Sequence, residues 1–228
     1  MFFRKRKLKG SVNDQKKALF IKGEKFYRQD KFEESNQCLD EVLKLDPNND
    51  EVWFLKSIIF GLMDNLNEAV NCLDHVVEIN PKNIDAWQRK GKLLNKLGKY
   101  HEALKSSEEA LKLDPNNYKA LSNKARSLSR LKKYHEAFDY CNRSLELNPE
   151  YFKAWCYKAI ILLQLEKSDE ALQCFEKVLI LNPNNAHAWS GKGLALEMLG
   201  RTEEALKCYK RALELDPNLR KFLKTSKI

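Results

Sequence analysis

The sequence predicts an all-α fold, a solenoid of stacked antiparallel helix pairs, and three observations carry that expectation. All six prolines lie 34 residues apart: Pro47, Pro81, Pro115, Pro149, Pro183 and Pro217. Each follows an acid or an amide: Asp46, Asn80, Asp114, Asn148, Asn182 and Asp216. Small and large apolar residues then recur in the same register, at the spacing of one helix face.

Setting the frame by the prolines gives repeats 16–49, 50–83, 84–117, 118–151, 152–185 and 186–219. The fourth residue of each is large and apolar: Leu19, Trp53, Trp87, Leu121, Trp155 and Trp189, a set that holds every tryptophan of the chain. The eighth is small, as in Gly23, Ser57, Gly91, Ala125, Ala159 and Gly193; so is the twentieth, from Ser35 to Ala205. The third repeat shows how the pattern reads. Ala86, Trp87, Gly91 and Leu94 form one face of a first helix, Gly98-Lys99 makes a turn, and Ala103, Leu104, Ala110, Leu111 and Leu113 line a second helix. Proline ends that second helix, since it has no N–H to donate and disfavours helix in the residue before it. Asn49, Asn83, Asn117 and Asn185 stand where the next helix needs an N-cap. Helices of about 12–14 residues are marginal alone, so stacking must stabilise them.

This pattern resembles the tetratricopeptide repeat, over residues 16–219 of the chain. The resemblance implies a right-handed superhelix whose first helices line a concave groove that holds a partner protein. It implies no cofactor, no bound metal and no enzymatic activity.

Composition narrows the function classes. With 43% hydrophobic and 32% charged residues, the 228-residue chain is too apolar for disorder. No run of about 18 apolar residues is present, so no membrane-spanning helix is expected. The N-terminal Met1-Phe2-Phe3-Arg4-Lys5-Arg6-Lys7 is basic but lacks the apolar stretch of a secretory signal, and a cytoplasmic location is the expectation. The net charge of +9 sits mostly at the ends: residues 1–15 carry +4, residues 220–228 another +4, and the body is nearly neutral. The extension 1–15 and the short cap 220–228 therefore offer a second reading, a tether for nucleic acid or anionic membrane. An incompletely capped end also invites end-to-end self-association.

Other tempting residues read as structural. Cys38, Cys72, Cys174 and Cys208 occupy the same place in their repeats, too far apart for disulfides, and no CxxC occurs. His101 and His135 share the eighteenth position of adjacent repeats, His75 and His187 stand apart from them and from each other, and the spacing forms no catalytic grouping. Gly191-Lys192-Gly193 lies within a first helix and is explained by close packing, and Ser144 of the sequon Asn142-Arg143-Ser144 falls at a packing position. The seventh residue of every repeat is lysine: Lys22, Lys56, Lys90, Lys124, Lys158 and Lys192. The expectation is that their stems cover apolar surface while the ammonium groups reach water.

The groove-facing positions are the second, fifth, sixth, ninth, twelfth and thirteenth of each repeat. In the third and fourth repeats they supply Gln88, Arg89, Lys92, Lys96, Asn123, Arg126 and Arg130, with Lys119 and Lys153 beside them and Asp85 in opposition. Apolar shoulders flank these: Phe54, Leu55 and Ile58 before, Tyr157, Ile160 and Leu163 after. The expected peptide-binding set is Gln88, Arg89, Lys92, Asn123, Arg126, Lys153 and Tyr157, suited to an extended protein segment that is acidic or ends in a carboxylate. The carboxylate clamp that co-chaperones of this family use matches only at Asn123 and Lys153. Gln88, Lys92 and Tyr157 stand where it has Lys, Asn and Arg.

Overall fold

The structure is a computed structural model that describes residues 11–221. These residues form twelve α-helices in two compact units divided between Leu97 and Gly98. The first unit holds α1 (Val12–Tyr27), α2 (Phe32–Leu45), α3 (Asp50–Leu62), α4 (Leu66–Ile79) and α5 (Ile84–Lys96). The second holds α6 (Tyr100–Leu113), α7 (Tyr118–Arg130), α8 (Tyr134–Leu147), α9 (Phe152–Gln164), α10 (Ser168–Leu181), α11 (Ala186–Met198) and α12 (Thr202–Leu215). A short 3₁₀ turn, Pro217–Lys221, follows α12. Odd-numbered helices from α1 to α11 are the first helices of the repeats, even-numbered ones the second.

In the first unit α1 packs on α2 and α3 on α4. In the second, α7 packs on α8, α9 on α10 and α11 on α12. The small residues permit these approaches. Ser35, Ala69, Ala103, Ala137 and Ala171 are fully buried at the twentieth position, and Ser57, Ala125 and Ala159 at the eighth. Two glycines of α11 leave room for no Cβ at all: one added to Gly191 would lie 2.3 Å from the Phe175 ring, and one on Gly193 2.6 Å from that of Tyr209. Close packing, not phosphate binding, accounts for Gly191-Lys192-Gly193. Ser144 is likewise buried, its hydroxyl donating to the Tyr118 carbonyl at 2.7 Å. Between the helix layers lie fully buried apolar side chains such as Leu39 and Ile59 in the first unit and Leu162 and Phe175 in the second. Each contributes about 1.5–3 kcal/mol of burial free energy.

Local chemistry sets the helix ends. The residue before each proline is extended, from Asp46 (ψ 81°) to Asp216 (ψ 97°), and closes the preceding helix. Asn49, Asn83, Asn117 and Asn185 accept hydrogen bonds from backbone N–H groups of the following helix at 3.0–3.1 Å. Tyr151 replaces Asn before α9, which has no side-chain cap. Each tryptophan does more than fill space. The indole Nε1 of Trp53, Trp87, Trp155 and Trp189 donates to the carbonyl of the proline six residues earlier at 2.8–2.9 Å, fastening helix to loop. The turn inside each pair takes one residue with positive φ: Asp30, Asp64, Gly98, Lys132, Glu166 and Gly200.

At the N-terminal side, Ser11 and Asp14 form a capping box that starts α1 ahead of residue 16. At the C-terminal side the 3₁₀ turn buries Leu219 against the last pair, while Phe222 and Leu223 lie outside the described residues. So do most of the basic residues of both tails, Arg220 and Lys221 excepted. No helix among the described residues is long and apolar enough to cross a membrane.

Candidate functional site

The regular spacing of the seventh-position lysines resolves first, because four of them are already paired within the fold. Lys56 and Lys90 of the first unit pair with Asp40 and Asp74. Lys124 and Lys192 of the second pair with Glu108 at 3.0 Å and Glu176 at 2.9 Å. Each partner stands sixteen residues earlier, on the second helix of the preceding repeat. The expectation that the ammonium groups reach water is corrected for these four, which tie one repeat to the next, while Lys22 is exposed. The reason is geometric, since the seventh position faces the seam between repeats, where a half-exposed acid at the twenty-fifth position is in reach. Lys56 is only 5% exposed. Lys158 departs from the rule. Asn142 stands where the acid would be, and the ammonium lies over the rings of Phe138 and Trp155, 5.1 and 5.4 Å from their centroids.

A different set of cations gathers in the second unit. The successive first helices α7, α9 and α11 touch, and together they wall a cavity of about 330 Å³. Arg126, Ser129 and Arg130 come from α7; Lys153, Cys156, Tyr157 and Ile160 from α9; Asn185 and His187 from the start of α11. Three fixed cations line it, and no carboxylate does. Among the described residues no acid lies within ion-pairing distance of Arg126, Arg130 or Lys153. Lys153 lies over the Phe152 ring, 5.9 Å from its centroid.

Arg126 is held in place by an aromatic. It donates through Nη1 to the Tyr157 hydroxyl at 3.4 Å, and its guanidinium lies 5.6 Å from the ring centroid. Burial raises the Tyr157 pKa while Arg126 opposes the rise, so the phenol stays protonated and keeps an O–H to donate. Tyr157 is thus a support for an arginine on the neighbouring helix. Burial also pushes the Cys156 thiol up to about 12, which leaves it neutral and without nucleophilic character. The other cysteines are free thiols, buried between helices. Among the described residues no group of three metal-ligating side chains occurs.

The structure divides the expected peptide-binding set. Arg126, Lys153 and Tyr157 line one cavity. Asn123 is 5% exposed and already engaged within the fold. Gln88, Arg89 and Lys92 belong to α5 of the first unit, where Gln88 and Lys92 are also engaged. Two of the expected apolar shoulders are core instead, buried in the apolar clusters: Leu55 with Leu39 and Ile59, Leu163 with Leu162 and Phe175. Asn185 and His187 lay outside the expected set. Aligning the repeats would have placed His187 at a groove position, the second of the sixth repeat.

This arrangement, paired helices fastened by an indole–proline bond, defines a helical-repeat protein. Family comparison agrees. Models of the tetratricopeptide repeat match residues 50–83, 84–117 and 158–219, more than half of the chain, and the chain belongs to that family. The model of the anaphase-promoting complex, cyclosome, subunit 3 matches residues 106–178. Tetratricopeptide repeats are protein-interaction scaffolds, generally without enzymatic activity. No curated protein matches the chain. Among solved structures, PilW, a type IV pilus biogenesis factor, superposes with a TM-score of 0.76 at 19% identity, over 91% of this chain and 98% of its own. A tetratricopeptide repeat protein from Parabacteroides merdae gives 0.76 at 19%, over 88% and 80%. YrrB, a tetratricopeptide protein with an unusual peptide-binding site, gives 0.56 at 21%, over 79% and 93%. These likenesses concern the fold.

Proposed function

We propose that the protein is a cytoplasmic, non-enzymatic adaptor built from six 34-residue repeats, and that its second unit holds an extended acidic segment of a partner protein. One observation carries the reading: the cavity between α7, α9 and α11 presents Arg126, Arg130 and Lys153 beside Tyr157 and Ile160, with no carboxylate in its lining. Guanidinium groups grip carboxylates with two parallel N–H donors, and the half-buried setting strengthens such bonds. Tyr157 fixes Arg126 in advance, which lowers the ordering cost of binding. Ile160, exposed on α9, supplies apolar area for a neighbouring peptide side chain. The peptide-binding site of the structurally similar YrrB supports the general mode.

The test is fluorescence anisotropy with a labelled, capped peptide of alternating Glu and Leu, and with the same peptide carrying Gln for Glu. Wild-type protein is expected to prefer the Glu peptide by at least about tenfold. Arg126→Glu with Arg130→Glu should abolish that preference while circular dichroism stays helical. Equal binding of the two peptides, or retention of the preference by the variant, would contradict the reading. Binding of duplex nucleic acid instead, lost on truncation of the tails, would favour the tether.

A further inference from the structure

The fourth repeat lacks the indole that fastens its neighbours. In the second, third, fifth and sixth repeats a tryptophan at the fourth position donates to the carbonyl of the proline six residues earlier, whereas in the fourth repeat that position is Leu121. Leucine has neither the ring nor the N–H, and among the described residues nothing donates to the Pro115 carbonyl. A cavity of about 330 Å³ lies there, between α6, α7 and α8 of the second unit, and its lining includes Leu111, Pro115, Leu121, Tyr140 and Arg143. It shares no lining residue with the cavity that holds Arg126. Its size falls within the range of small-ligand sites, about 300–1,000 Å³.

The neighbouring side chains replace only part of the missing ring. Tyr140 stands where the second, fifth and sixth repeats have Cys72, Cys174 and Cys208, and its ring centroid lies 4.6 Å from the Lys124 ammonium. Trp87, Trp155 and Trp189 offer the same kind of contact to Lys90, Lys158 and Lys192. Tyr140 thus supplies the lysine contact and leaves the place beside Pro115 open. Arg143 is exposed, lies 5.9 Å from the Tyr140 centroid and, among the described residues, has no carboxylate within ion-pairing distance. The second repeat shows what a side chain at that twenty-sixth place does when an indole is present: His75 stacks on Trp53, with ring centroids 4.2 Å apart and planes at 25°.

What completes such a place is flat, apolar over most of its surface and equipped with one N–H donor. The Pro115 carbonyl is the acceptor, Leu111 and Leu121 are the apolar contacts, and the Arg143 guanidinium suits a ring face, for which indole is the strongest partner among protein side chains. We propose that this cavity is a docking site for the indole of a tryptophan side chain on a partner protein, seated as Trp53, Trp87, Trp155 and Trp189 are seated within their own repeats. The partner protein as source of the indole rests on the scaffold reading above; the seat does not.

The seat is tested first with 5-fluoroindole, followed by fluorine NMR with the full chain. The signal should shift saturably, and 5-fluoro-1-methylindole, which keeps the ring and loses the donor, should bind at least about fivefold more weakly. Leu121→Trp with Tyr140→Cys gives the fourth repeat the pair of residues that the second, fifth and sixth carry. This double variant should melt no lower than wild type and leave the fluorine signal unmoved. Arg143→Ala should weaken binding about two- to tenfold with the melting temperature unchanged. A signal that does not saturate, equal binding of the methylated ring, a double variant that melts below wild type, or undiminished binding by either variant would overturn the proposal. Acetyl-Ser-Trp-Ser-amide then tests the source. Displacement of 5-fluoroindole by this peptide supports a tryptophan side chain, and indole binding that the peptide does not displace overturns it. Arg126→Glu with Arg130→Glu should bind the indole as wild type does, so the two sites of the second unit fail independently.

Discussion

On α7, Lys124 and Arg126 are two residues apart and belong to different regions of the second unit. Lys124 faces the seam, where Glu108 of α6 takes its ammonium at 3.0 Å. Arg126 faces the cavity, where Tyr157 steadies it and no carboxylate answers it. The same division recurs in the first unit, with Lys56 and Lys90 neutralised at seams and Arg89 left without an acid. Charge type therefore says little about role in this protein; the face on which a charge sits decides it. Seam cations tie repeats together, and the cations of the cavity are those proposed to bind.

The largest stability effect that could break this division is expected at the most deeply buried seam lysine. Asp40→Asn leaves the Lys56 ammonium, 5% exposed, without its anion. It should cost about 1–2 kcal/mol, less than a fully buried pair because Asp40 is half exposed, read as a lowered thermal midpoint with peptide affinity unchanged. An unchanged midpoint would mean that the seam pairs are ornaments of the sequence pattern.

Next comes the binding face. Arg126→Ala should weaken binding of the Glu peptide by about 10–100-fold, as expected for a charged hydrogen bond, while the midpoint moves little. Raising salt should weaken peptide binding well before it lowers the melting temperature, since exposed charges are screened more than partly buried ones.

The break in the lysine ladder offers a gain. Asn142→Asp restores an acid sixteen residues before Lys158, where the other seams have one, and should stabilise the second unit by about 0.5–1 kcal/mol. The phenyl and indole rings that now hold Lys158 set the limit, because the ammonium must leave them to reach the new carboxylate.

The smallest effect is expected away from both faces. Glu166 occupies the left-handed turn position at φ 59°, where Gly98 and Gly200 stand in other repeats. Glu166→Gly should stabilise by about 0.5 kcal/mol, the relief of a left-handed side chain less the added chain entropy. Chemical denaturation would resolve it.

The helix pairs were legible because proline, asparagine and the small residues act locally and repeat six times. Each of these residues has one physical job, so the spacing alone reveals it. The seams were harder. The lysine at the seventh position is plain in the sequence, yet its partner lies on another helix sixteen residues back, and the acid there alternates between Asp40, Asp74, Glu108 and Glu176. Aligning the twenty-fifth positions would have exposed it. At the proposed site, periodicity placed Arg126, Lys153 and Tyr157 on first helices but could not tell that Leu55 and Leu163 are buried, which depends on tertiary packing. The support of Arg126 by Tyr157 and the unpartnered Nε of Arg89 are properties of side-chain conformation, which no spacing encodes.

The most direct test uses the two neighbours on α7. Lys124→Met and Arg126→Met each remove one positive charge, and both proteins are measured for thermal midpoint and for affinity to the Glu peptide. The account predicts that Lys124→Met melts lower and binds as wild type, whereas Arg126→Met melts as wild type and binds weakly. Two variants that change the same property by the same amount would contradict it.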